Sequence, residues 1–200
     1  VFNTEKAPFD NVKVRQAINM AIDKKGLVDA FYNGYAEVAK NPIPPSLWGY
    51  NDDIVDYPYN PEDAKKLLAE AGYPDGFKPE IWAMSNPRPY MPQPLKIAEV
   101  MQADLKAIGI DAEIESYEWS TYLEKTGNGE HTMAMFGWTG VMADPDNFLY
   151  PNLSSNNTEK PASNRSFYKN EEFTSLLEPD RVMFDHEERI SLYKEAQEIF

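Results

Sequence analysis

Residues 77–117 constrain this chain more than any other stretch. Residues 77–84 read as a strand. Residues 94–108 place Ile97, Val100, Met101, Leu105 and Ile108 on one face of a helix that stops at Gly109, and residues 110–117 alternate as a second strand. A strand, an amphipathic helix and a strand in succession pair in parallel through a right-handed crossover. The expected class is therefore α/β, with a sheet flanked by helices.

The flanking sequence fits that frame. Residues 1–4 read as a short strand, and Asp10 as the cap of a helix with Val14, Ala17, Ile18, Ala21 and Ile22 on its apolar face. Residues 25–32 form a second helical stretch ending at Asn33-Gly34. Residues 35–59 are rich in Pro, Asn and Asp and read as a long ordered loop holding Trp48 and Tyr50. Asn60-Pro61-Glu62-Asp63 is a helix start, and that helix runs to Ala71 before Gly72. Residues 121–125 can form a short helix, residues 132–138 a third strand, residues 146–150 a helical turn and residues 153–166 a polar surface loop. Residues 171–177 and 186–200 are helical.

Composition excludes several functions. At 200 residues the chain can bury a real core. A net charge of −14 repels phosphate backbones and anionic lipid, so no nucleic-acid partner is expected. The absence of cysteine removes disulfides, thiolate nucleophiles and thiolate metal sites together. No apolar run is long enough to span a membrane. Both ends look cut, the first inside a strand-like run and the last inside a helical pattern, so the chain reads as part of something longer.

Ligands of open α/β sheets bind beyond the carboxyl ends of the strands. The segments there are Asn86-Pro87-Arg88-Pro89-Tyr90, Glu118-Trp119 and Gly137-Trp138-Thr139-Gly140. Arg88 is a fork of donors suited to a carboxylate. Tyr90, Trp119 and Trp138 can wall an apolar slot, and Gly140 lets backbone amides approach a ligand. The competing reading makes Arg88 a surface ion-pair residue and the tryptophans core; spacing alone leaves the two about level. No catalytic or metal site is expected. His131 and His186 lack ligand-spaced partners and read as surface histidines, and Asp144-Pro145-Asp146 reads as a turn leading into a helix cap. A metal-assisted hydrolase built on Asp144, Asp146 and His131, or an interaction module using the loop around Trp48, is the remaining alternative from the residues alone.

The residues also carry a resemblance. Val12-Lys13-Val14-Arg15-Gln16-Ala17-Ile18, Trp48-Gly49-Tyr50-Asn51-Asp52-Asp53, Arg88-Pro89-Tyr90, Tyr117-Glu118-Trp119, Gly137-Trp138-Thr139-Gly140 and Asp144-Pro145-Asp146-Asn147-Phe148 resemble the dipeptide-binding branch of the peptide, nickel and glutathione solute-binding proteins that serve ABC importers. The resemblance implies a periplasmic-binding-protein-like fold of class II, with two lobes closing on a ligand and a mixed sheet flanked by helices. Residues 1–200 would be a single α/β lobe, the C-terminal one, of a longer protein. It implies a non-enzymatic, monomeric component without cofactor, periplasmic or otherwise extracytoplasmic (free or lipid-anchored), that binds dipeptides or short peptides and hands them to the membrane permease subunits.

By resemblance, Arg88 holds the peptide carboxylate, Pro89 belongs to the same segment, and Tyr90, Trp119 and Trp138 line the pocket. Thr139 and Gly140 orient the ligand through their backbone. One departure stands out: the branch has an aspartate for the ligand's amino group where this chain has Val141. Either Asp144 takes over, or the ligand is a different solute of the same family, such as glutathione, a haem-related compound, a nickel chelate or an N-blocked peptide. An isolated lobe carries half a site, so residues 1–200 alone are expected to bind dipeptides very weakly in a calorimetric titration; tight binding by this fragment would contradict the two-lobed expectation.

Overall fold

The structure, a computed structural model, describes residues 1–180 and 185–200. The chain divides into two compact units, Val1–Val38 with Tyr57–Gly137, and Ala39–Asp56 with Trp138–Phe200.

The first unit is built on a three-stranded parallel sheet. Its strands are β1 (Glu80–Met84), β2 (Glu113–Tyr117) and β3 (Met133–Ala134), with β1 in the middle. Ile81 pairs with both Ile114 and Met133, and Met84 with Tyr117. From Ile81 to Met84 every residue of β1 is buried, as a strand covered on both faces requires. Phe2 adds an antiparallel bridge to Met133, so the expected first strand is a single bridge and the sheet is mixed. Strands β2 and β3 are shorter than their hydrophobic runs. Phe77 and Ile110 pair in parallel ahead of β1 and β2, just after the turns at Gly76 and Gly109, where a Cβ on Gly76 would lie 1.8 Å from the Gly109 carbonyl oxygen.

The helices follow the patterning with small shifts. Helix α1 (Val12–Ala21) buries Val14, Ala17, Ile18 and Ala21, but its cap is Asn11, whose side chain accepts from the Lys13 N–H; Asp10 lies one residue outside. Asp23 caps α2 (Lys24–Phe31), and Asn60 caps α3 (Pro61–Glu70), which packs on α1. Helix α4 (Pro94–Ala107) covers β1 and β2 with Ile97, Ala98 and Leu105. Val100, expected on that face, is 38% exposed. At about 100° per residue it falls some 60° from Ile97 on the side away from Leu105, whereas Ala98 falls about 20° from Leu105. Helix α5 (Trp119–Gly127) is longer than expected because Glu118 accepts from the Ser120 N–H and caps it. His131 is a correction: it is fully buried, with Asn3 donating to its carbonyl oxygen and the Trp82 ring 6.0 Å away.

The second unit holds α6 (Asp146–Leu153), α7 (Glu171–Asp180) and α8 (His186–Ile199) around Ile43, Leu149, Leu153, Phe173, Leu177, Tyr193 and Ala196. Loop Ala39–Asp56 is pinned to α8 by Gln197, which accepts from Asn41 and the Asn51 N–H and donates to the Gly49 carbonyl oxygen. Residues 153–166 are less superficial than their polarity suggests. Asn164 is buried, donates to the Ser154 and Tyr168 carbonyl oxygens and accepts from Ser166.

Leu105 is fully buried and Val100 is not. Leu105→Ala should lower unfolding stability by about 2–5 kcal/mol, while Val100→Ala should change it by no more than about 0.5 kcal/mol, both read from denaturant midpoints.

Candidate ligand-binding site

Four of the nine expected ligand residues lie in the first unit. The chain leaves β1 at Met84 and makes a tight turn in which Arg88 and Met91 exchange backbone hydrogen bonds of 3.0 and 2.9 Å, with Pro89 and Tyr90 at its tip. The Tyr32 hydroxyl donates to the Tyr90 carbonyl oxygen and seats the turn. Trp119 comes just after the end of β2 and opens α5. Because Met84 and Tyr117 are paired, these two strand exits are neighbours.

Arg88 and Trp119 meet there. The guanidinium carbon lies 3.7 Å from the Trp119 ring centroid, a cation–π contact. Trp119 in turn stacks on Tyr122 at 5.9 Å and 14°, and leans on Phe136. Tyr122 is fully buried with its hydroxyl in hydrogen-bond reach of the Trp82 and Met135 carbonyl oxygens, and burial pushes its pKa far up. Among the described residues no carboxylate forms an ion pair with Arg88, and its buried Nε has no hydrogen-bond partner. In a chain of net charge −14 Arg88 thus lacks the acidic partner that the surface ion-pair reading expects.

Tyr90 packs against Gly137, where a Cβ would lie 2.2 Å from the ring. Burial pushes the Tyr90 hydroxyl's pKa up, against a backbone hydrogen bond from Gly137 and the charge of Arg88. Trp119 and Tyr90 are partly buried, so neither is purely core nor purely surface.

The other five residues belong to the second unit. Trp138 is 49% exposed and donates through Nε1 to the Asn147 carbonyl oxygen at 2.7 Å. Thr139 is exposed. Gly140 makes room for Phe148, whose ring would lie 2.4 Å from a Cβ there. Val141 is 85% exposed, and its N–H donates to the Asn147 side chain. Asp144 accepts from Arg189 Nη2 at 3.0 and 3.1 Å, from the Asp146 N–H at 3.0 Å and from the Tyr193 hydroxyl at 3.4 Å. The turn reading of Asp-Pro-Asp holds, although Pro145 occupies the cap position of α6 and contributes no side-chain bond.

Sequence reasoning missed Asn147 and Arg189. Asn147 could have been noticed as a turn former in Asp-Pro-Asp-Asn; Arg189 has no local signal, because its partner is 45 residues away. No group of three or more His, Cys, Asp or Glu that could hold a metal occurs among the described residues, and His131 sits buried against Trp82. No helix among them is long and apolar enough to cross a membrane.

Residues 1–160 match the family model of bacterial extracellular solute-binding proteins, family 5 middle region. The chain is 50% identical to heme-binding protein A of Haemophilus influenzae over 99% of its length, and 46% identical to the dipeptide-binding protein of Escherichia coli over 98%. It covers 36% of each of these relatives, a little over a third of their length. Among solved structures it resembles a periplasmic binding protein of Helicobacter pylori in complex with the peptide STSA (46% identity, TM-score 0.93, covering 99% of this chain and 38% of that one). A dipeptide-binding protein of Pseudoalteromonas in complex with Met-Leu gives 40% identity and a TM-score of 0.95, covering 99% of this chain and 39% of that one. These relatives are binding proteins, not enzymes, and their fold is the α/β periplasmic-binding-protein fold that the resemblance implied. The chain belongs to the family 5 bacterial extracellular solute-binding proteins.

Proposed function

We propose that residues 1–200 form one lobe, the C-terminal one, of a two-lobed extracytoplasmic protein that binds dipeptides or short peptides and delivers them to the permease of an ABC importer. The observation that carries the reading is Arg88, held on the face of Trp119 at neighbouring strand exits with no carboxylate paired to it among the described residues. A peptide C-terminus supplies the missing anion, in the two-point geometry that a guanidinium favours. Tyr90 and Trp119 offer apolar surface beside it, and Pro89 holds the turn. In the second unit, Trp138, Thr139, Gly140 and Val141 are the candidate ligand-contact residues. The protein acts as a monomer in the periplasm.

The names of several relatives, among them the dipeptide-binding protein and the di/tripeptide-binding proteins, support peptides over other solutes. The heme-binding relative brings heme into the competition series because it is as similar as the peptide binders. Closing two lobes around the ligand would be a hinge motion.

The test is calorimetry on the full-length protein containing this chain, with an apolar dipeptide, its C-terminal amide and heme. The free acid should bind best. Arg88→Met should weaken it by about 2–5 kcal/mol, the scale for leaving one member of a buried charge pair alone, and should leave the amide far less affected. Equal binding of acid and amide, or wild-type affinity in Arg88→Met, would sink the assignment. Gly137→Ala should lower stability by about 1–3 kcal/mol in a denaturant melt, because its methyl group must displace the Tyr90 ring.

A further inference from the structure

Asp144 is the acidic residue nearest in sequence to Val141 on the segment that bears the second unit's candidate residues, and it is occupied. Arg189, on α8, sets Nη2 3.0 and 3.1 Å from its two carboxylate oxygens. The arrangement around the pair is built. The Arg189 guanidinium lies 4.6 Å from the Trp48 ring centroid and 5.8 Å from that of Tyr193. Trp48 packs edge-on against Tyr193 at 5.4 Å and donates through Nε1 to the carbonyl oxygen of Ala143, the residue before Asp144. Asp144 and Arg189 are respectively 30% and 20% exposed at their side chains. Asn147 fastens the other end of the segment through Trp138 and Val141.

We infer that Arg189 is a specificity-setting residue that acts through Asp144: by claiming that carboxylate, it keeps the segment 138–147 from pairing with a ligand ammonium. The inference rests on the peptide reading. A ligand ammonium would have to displace a guanidinium that is already hydrogen-bonded and stacked on an indole, and a charge pair held that way does not exchange partners without leaving one of them stranded. A ligand ammonium reaching this segment would therefore find the Asp144 carboxylate already taken.

The experiment titrates the full-length protein with an apolar dipeptide and with its N-acetylated twin, and reads the ratio of the two affinities. Arg189→Met should release Asp144 and move the ratio toward the free-amino peptide by about tenfold or more. Arg189→Lys, which keeps the charge, should hold the wild-type ratio. Adding Asp144→Asn to Arg189→Met should abolish the shift, which a merely structural role for Arg189 would not do. Thermal melts by circular dichroism check that each variant is folded, and if Arg189→Met is not, Arg189→Gln is read in its place. An unchanged ratio in a folded Arg189→Met or Arg189→Gln overturns the inference while leaving the peptide reading intact. Failure of the wild-type protein to bind either peptide removes both.

Discussion

The pairing of Met84 with Tyr117 is the contact on which the first unit's candidate site depends. Parallel strands leave the sheet in the same direction, so the segments leaving β1 and β2 emerge side by side. One exit carries Arg88 and the other Trp119. Neither residue could find the other by local sequence preference; the register of a buried strand does it. That register is secured by burial of Ile81 to Met84 on both faces, since a slip would reverse which side chains meet α4.

An arginine without an acidic partner still needs somewhere to rest. The Trp119 ring, braced from behind by Tyr122 and Phe136, takes one face of the guanidinium and replaces part of its hydration. The ring cannot accept in-plane hydrogen bonds, so the fork of N–H donors is left for something else. In the second unit the same residue type is used to opposite effect. Arg189 also sits over an indole, but its Nη2 is paired with Asp144. Two arginines set over tryptophan rings thus differ in one respect, the carboxylate paired with the second.

Much of the fold was legible in the sequence because it is encoded locally. The cap at Asn60, the glycine stops at Gly72 and Gly109, and the strand-helix-strand pattern all act within a few residues. Errors came where a neighbour distant in the chain decides. Val100 looked apolar enough for the helix face but points away from Leu105, and His131 looked like a surface histidine but is covered by Trp82 and the chain around Asn3. Residues 153–166 looked like a solvated loop because they are polar, yet Asn164 is buried and donates to the Ser154 and Tyr168 carbonyl oxygens. The candidate residues could be nominated from strand ends and resemblance; that Asp144 is held by Arg189 could not, because nothing near Asp144 in the chain announces its partner.

Both glycines of Gly137-Trp138-Thr139-Gly140 are seats for aromatic rings, Tyr90 at the first and Phe148 at the second. Any side chain at either position collides with the protein itself before it meets a solute. A descendant of this chain that keeps its architecture must therefore keep the two glycines, while packing places no such demand on the solvent-facing Val141 beside them. The motif is a signature of how the molecule is assembled, and the adjoining position carries no such packing constraint.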